Sequence, residues 1–92
     1  MAKSKLLEGY KVIDITIAIA GPTTTYLLQD MGADVIKVEH PVRGDDTRHF
    51  IPQKNGVSAS FISVNRGKRD LAVDLNTKEG QQINQELVKT AD

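Results

Sequence analysis

The stretch TIAIAGPTTTYLLQDMGADVIKVEHP (residues 16–41) decides the fold. Upstream of it and into it, Ile13, Ile15, Ile17 and Ile19 recur at period two, which predicts a strand over residues 12–19. Gly21 and Pro22 break that strand. Proline suits the first turn of a helix, where its fixed φ helps and its missing N–H costs nothing. Tyr26, Leu27 and Met31 follow at helical spacing, and Gly32 stands where a left-handed C-terminal cap belongs. Residues 33–39, carrying Val35, Ile36 and Val38, then read as a second, buried strand. Strand, helix of about ten residues, strand is a βαβ unit, and the fold class is α/β with a parallel sheet.

Outward from this unit the chain is less regular. Residues 40–57 read as a long loop punctuated by Pro41, Gly44, Pro52, Asn55 and Gly56. Residues 58–64 fit a short helix or a strand equally well. A basic turn, NRGKRD, leads into a strand over residues 71–75, where Leu71, Val73 and Leu75 alternate. Asn76 then stands where a helix cap is expected, with Glu79 three residues on to complete a capping box. The helix over residues 77–91 carries Ile83, Leu87, Val88 and Ala91 on one stripe, a face that must be buried. An α/β pattern would next supply another strand, so the sheet is expected to be incomplete.

Composition removes several function classes. Ninety-two residues suffice for one small domain, and a chain of this size buries only about 60–65% of its unfolded surface. Twelve basic and twelve acidic residues cancel, which gives no steering toward nucleic acid or anionic lipid. Two tyrosines, two phenylalanines and no tryptophan leave little for base stacking. No cysteine is present, so disulfides and thiolate chemistry are out. The opening MAKSKLLEGYK has no apolar core of signal-peptide length, and no apolar run nears the roughly 18 residues that span a bilayer. The expectation is a soluble protein of the cytoplasm, or of the mitochondrion in a eukaryote.

Three motifs carry candidate chemistry. The corner around Gly21 offers the N–H groups of Thr23 and Thr24 to an anion at a helix N-terminus, or is simply a tight turn. A Rossmann dinucleotide site needs G-x-G-x-x-G to bring backbone to the pyrophosphate; only Gly21 is present, and Glu39 as a ribose-binding acid does not repair that. HPVRGDDTRH mixes His40, Arg43, Asp45, Asp46, Arg48 and His49, a pattern of a self-satisfied polar loop or of one closing on a charged ligand. The interleaved arginines argue against a metal. The basic turn sets Arg66, Lys68 and Arg69 around Gly67, able to converge on one phosphate or to sit in water. Nothing forms a nucleophilic triad.

Taken together, LEGYKVIDIT, AGP, LLQDMGADVIKVEHP, GDDTR, NRGKRDLAVDL and KEGQQINQELVKTAD resemble, in order and spacing, the N-terminal end of the family III CoA-transferases. That group includes the formyl-CoA, carnitine and succinate–hydroxymethylglutarate enzymes. The resemblance runs from about Leu7 to Asp92 and makes residues 1–92 the N-terminal segment of one Rossmann-like domain. The related α-methylacyl-CoA racemases share the fold, but VEHP followed by GDDTR looks more like the transferases.

The resemblance implies coenzyme A or an acyl-CoA as substrate, a small carboxylic acid as acceptor, and no tightly bound cofactor. It places Ile19 and Ala20 beside the acyl thioester and His40 near the CoA nucleotide, where some relatives carry arginine. Val73, Asp74, Leu75 and Asn76 match the strand end lining the CoA site, and Arg66 and Lys68 are the further candidates for phosphate. Ile19 stands where oxalate-using relatives carry glutamine, which favours a dicarboxylate-type acceptor over oxalate. The family's chemistry, as implied, runs through an aspartyl mixed anhydride. None of the aspartates in residues 1–92 matches that nucleophile, so no catalytic residue is assigned and this segment alone is expected to be inactive. Full-length relatives form interlocked homodimers. The alternatives are a non-catalytic CoA- or nucleotide-binding module and a racemase segment.

Overall fold

A computed structural model describes residues 5–92; the first four residues of the opening stretch lie outside it. Three parallel strands form the centre: β1 (Lys11–Asp14), β2 (Asp34–Glu39) and β5 (Arg69–Ala72), in the order β1-β2-β5. Val12 pairs with Val35 and Ile13 with Ile36 on one side of β2, and Val38 pairs with Leu71 on the other. β2 is the middle strand, and its burial follows from that position. Val35, Ile36 and Val38, with Ala33 and Val73, are the buried apolar core. Fully buried parallel strands need such near-continuous apolar runs.

Helix α1 (Ala20–Asp30) connects β1 to β2 and packs on both. It starts before Pro22, which is the third helical residue and still within the turn whose N–H groups have no intrahelical acceptor. The Thr23 N–H donates to the Ile19 carbonyl at 2.8 Å, so the helix spends one of the two N–H groups considered for an anion. The C-terminus closes as expected, with Gly32 at φ +107° donating to Gln29 O.

β1 is shorter than the isoleucine alternation predicts. Asp14, buried at its end, accepts the Thr16 N–H at 2.8 Å and so takes the next ladder donor out of the sheet. Ile15, Ile17 and Ile19 are left about half exposed on a loop. A period of two identifies alternation; it does not count the residues that find a partner strand.

The expected long loop contains structure. A 3-10 turn (Asp46–His49) is capped by Asp45, and a hairpin of β3 (Gln53–Lys54) and β4 (Val57–Ser58) turns on Asn55-Gly56. Both turn residues have positive φ, +52° and +78°, as a tight hairpin of this kind requires. Residues 58–64 resolve as helix α2 (Ala59–Asn65), because the Ser58 hydroxyl caps it by accepting the Phe61 N–H.

β5 lies two to three residues earlier than the alternation over residues 71–75 suggests. The cap of helix α3 (Lys78–Val88) is Thr77, whose hydroxyl accepts the Gly80 N–H at 2.9 Å, and not Asn76. Asn76 is held one step earlier, its N–H donating to Asp74 Oδ1 at 2.9 Å. On α3, Ile83 and Val88 remain about half exposed. β1 and β5 are the sheet edges among the described residues, and Asp92 meets the β1 edge by donating its N–H to Lys11 O at 3.0 Å. No helix of the described residues is long and apolar enough to cross a membrane.

Candidate functional site

In open parallel sheets, ligands bind beyond the carboxyl ends of the strands. A cleft of about 210 Å³ lies there. Its walls are Ile15 and Ile17 from the loop after β1, Val38 to His40 at the end of β2, and Val73, Leu75 and Asn76 beyond β5. Arg43, Gly44, Asp45 and Asp46 close the remaining side. One half of the lining is aliphatic and the other polar.

His40, Val73, Leu75 and Asn76, named as site residues from the resemblance, line this one cleft. Asp74 stands just behind them, with Oδ2 at 3.8 Å from His40 Nε2. The His40 ring builds the loop it begins: Nδ1 accepts the N–H groups of Val42 and Arg43 at 3.1 and 3.2 Å. Accepting twice at Nδ1 leaves the proton of the neutral ring on Nε2, facing Asp74.

Gly44 makes the next bend possible. Its φ is +65°, and a Cβ there would press on Arg48 Cδ at 2.8 Å and on Glu39 Oε1 at 3.2 Å. Arg43 stands at the mouth with its guanidinium outside the ion pairs of the described residues. It is the accessible cation of this cleft.

Ile19 and Ala20 do not line the cleft; Ile15 and Ile17, on the same loop, do. Arg66, Lys68 and Arg69 do not converge. Lys68 turns inward, fully buried, and donates to Asp14 Oδ2 and Pro22 O at 3.0 Å and to Asn65 Oδ1 at 2.8 Å. Arg66 donates to the Tyr26 hydroxyl, and Arg69 pairs with Asp34. The reason lies in Asp14: a buried carboxylate demands a cation, and Lys68 is the one that reaches it.

The acids around the cleft are tied down. Burial raises the Asp14 pKa, but the hydroxyls of Thr16 and Thr25, the Lys68 ammonium and the Thr16 N–H outweigh it and hold the group at about 2. Burial also raises Glu39, while Arg48, Asp70 and the Asp45 N–H bring it down to about 2. Arg48 forks Glu39 with two 2.8 Å bonds, so Glu39 is not a free ribose-binding acid. Asp70, partly desolvated and beside Glu39, is pushed up to about 6. Asp45 is lowered against its burial, chiefly by Lys37 and Thr47.

The sequence profile of CoA-transferase family III matches residues 7–92. The chain belongs to CoA-transferase family III. It is 44% identical to the human succinyl-CoA:glutarate CoA-transferase, over all of this chain and 21% of that protein. With the Agrobacterium fabrum succinate–glutarate CoA-transferase the identity is 45%, over 94% of this chain and 23% of the other. A crystal structure of a CAIB/BAIF family protein from Brucella suis superposes with a TM-score of 0.87 at 42% identity, covering 99% of this chain and 25% of that one. This family III chain thus spans about a fifth of the length of the curated relatives it matches.

Sequence reasoning did not single out Ile15 and Ile17 as cleft residues, or Arg43 as its cation. Their signal was present. Isoleucines at 15 and 17 continue an alternation past a buried aspartate, and Arg43 lies in the charged decapeptide.

Proposed function

We propose that this chain forms one wall of the CoA site of a family III CoA-transferase, which moves CoA between an acyl-CoA thioester and a small carboxylic acid. The observation that carries the reading is the meeting of His40, Val73, Leu75 and Asn76 in one cleft with an accessible Arg43. The aliphatic half suits the pantetheine arm and acyl end, near Ile15 to Ala20. The polar half suits phosphate, with Arg43 as charge partner and His40 Nε2 and the Asn76 amide as further donors. Arg66 and Lys68, engaged elsewhere, are left with lesser roles.

A dicarboxylate-type acceptor, a cytoplasmic setting and an interlocked homodimer of the full-length enzyme complete the proposal. So does the aspartyl anhydride route, in which a carboxylate attacks the thioester carbonyl and expels CoA thiolate. Asp14 and Asp45 are unsuited to that attack, being buried and ion-paired. The 92-residue chain alone is therefore proposed to bind CoA without transferring it. A transfer assay with succinyl-CoA and glutarate tests this. No turnover above the protein-free control is expected. Turnover abolished by replacing a single aspartate would overturn the inactivity.

A further inference from the structure

Asp45 forms part of the cleft wall, with its side chain fully buried. A buried carboxylate is costly unless it is paired and hydrogen-bonded. Oδ2 takes the Lys37 ammonium at 2.7 Å. Oδ1 accepts the Thr47 N–H at 2.9 Å, the Thr47 hydroxyl at 2.8 Å and, from a distant part of the chain, the Ala18 N–H at 3.1 Å. Lys37, equally buried, donates to Thr16 O at 3.0 Å. The pair thus grips one loop twice, at a carbonyl and at an amide two residues on.

The gripped loop is unusual at one point. Ala18 has φ +68°, a conformation that L residues adopt only where their surroundings over-determine it. The Asp45 carboxylate meets that residue directly, accepting the Ala18 N–H. The kink separates the end of β1 from the start of α1 and leaves Ile17 59% exposed, against the cleft.

We infer that Asp45, braced by Lys37, is a positioning residue: by holding Ala18 in its left-handed conformation it sets where Ile15 and Ile17 stand against the bound thioester arm of CoA. This rests on the reading of the cleft as a CoA site. It differs from a simple core ion pair in one respect. The pair acts through the backbone of residue 18, so another way of securing that backbone should replace it.

Glycine at residue 18 does so by removing the steric cost that the carboxylate offsets, because it reaches positive φ without a penalty. Calorimetric titration of CoA into the chain should show Asp45→Asn weakening affinity about tenfold. The double variant Asp45→Asn with Ala18→Gly should recover most of that loss, while its thermal stability stays below the parent's because Lys37 is still unpaired. A double variant binding as weakly as Asp45→Asn, or Asp45→Asn binding like the parent, would overturn the inference. Should Asp45→Asn fail to fold, Ala18→Val keeps the ion pair but disfavours positive φ. It must then lose affinity, and unchanged affinity refutes the role. If the parent binds no CoA, the functional reading fails, and the positioning claim is read separately by NMR. Asp45→Asn must abolish both the exchange protection and the positive φ of Ala18; their persistence would overturn it.

Discussion

Lys68 Nζ stands 3.0 Å from Asp14 Oδ2, and both side chains are almost wholly removed from water. This contact ties the turn after α2 to the end of β1, across 54 residues of sequence. Removing one member of a buried pair strands the other's charge, which costs about 3–5 kcal/mol. Lys68→Met should therefore lower the urea-derived stability by an amount in that range. A loss below about 1 kcal/mol, the scale of an exposed pair, would show that Asp14 is compensated by its threonines alone.

The acid limb of stability follows from the same groups. The Asp14 and Glu39 carboxyls are lowered from 3.8 and 4.5 to about 2 in the folded chain. The unfolded chain then binds protons first as pH falls, so their contribution is present above the ordinary carboxylate range and lost as pH drops toward 2. Asp70 has the opposite sign. Raised to about 6, it keeps its proton longer in the folded state, so it subtracts stability as pH rises from 3.8 through about 6. Thermal melts should show a decline in the upper part of that interval, above the range in which the unfolded Asp14 and Glu39 titrate, and Asp70→Asn should flatten it. A decline unchanged in Asp70→Asn would contradict the assignment.

Arg48 gathers four elements at one guanidinium. It forks Glu39, reaches Asp70 at 3.1 Å and lies 3.9 Å from the centroid of the Phe61 ring. Lysine keeps the charge but cannot fork a carboxylate or stack as a plane. Arg48→Lys should cost about 1.5–3 kcal/mol in chemical denaturation, the scale of hydrogen bonds to charged groups. Equal stability would mean that charge alone, and not the fork, holds the 3-10 turn on the sheet.

Gly80 should reverse a general rule. In a helix, glycine to alanine usually gains about 0.5–1 kcal/mol. A Cβ at Gly80 would run into the carbonyl of Asp74 and lie 2.8 Å from the Thr77 hydroxyl that caps α3. Gly80→Ala should therefore destabilise by about 1–3 kcal/mol, as overpacking does. A gain in melting temperature would show that α3 is not seated against the loop at Asp74.

The βαβ unit was legible because β2 is buried on both faces and so reads as an apolar run, Val35, Ile36 and Val38, interrupted only by Lys37. The length of β1 was not, since a single buried aspartate diverts the backbone into a loop without disturbing the isoleucine alternation. Asn55-Gly56 is a strong hairpin signal that reads as a mere breaker when its flanking strands are two residues long. Asn76 and Thr77 are both competent caps, and tertiary packing at Gly80 and Asp74 decided between them. The cleft members His40, Val73, Leu75 and Asn76 came from family resemblance; their residue types alone name no ligand. The inward turn of Lys68 was invisible because it depends on Asp14, a partner far away in sequence.

The central claim is that CoA occupies the cleft beneath the residue 15–20 loop, and a ¹⁵N NMR titration of the chain with CoA tests it most directly. Saturable shifts should concentrate on the amides of Ile15, Ile17, Gly44, Leu75 and Asn76. Ile17→Glu, which adds a negative charge at an exposed cleft position, should abolish them while leaving the fold intact. Shifts that gather on α3 instead, or that survive Ile17→Glu unchanged, would contradict the account.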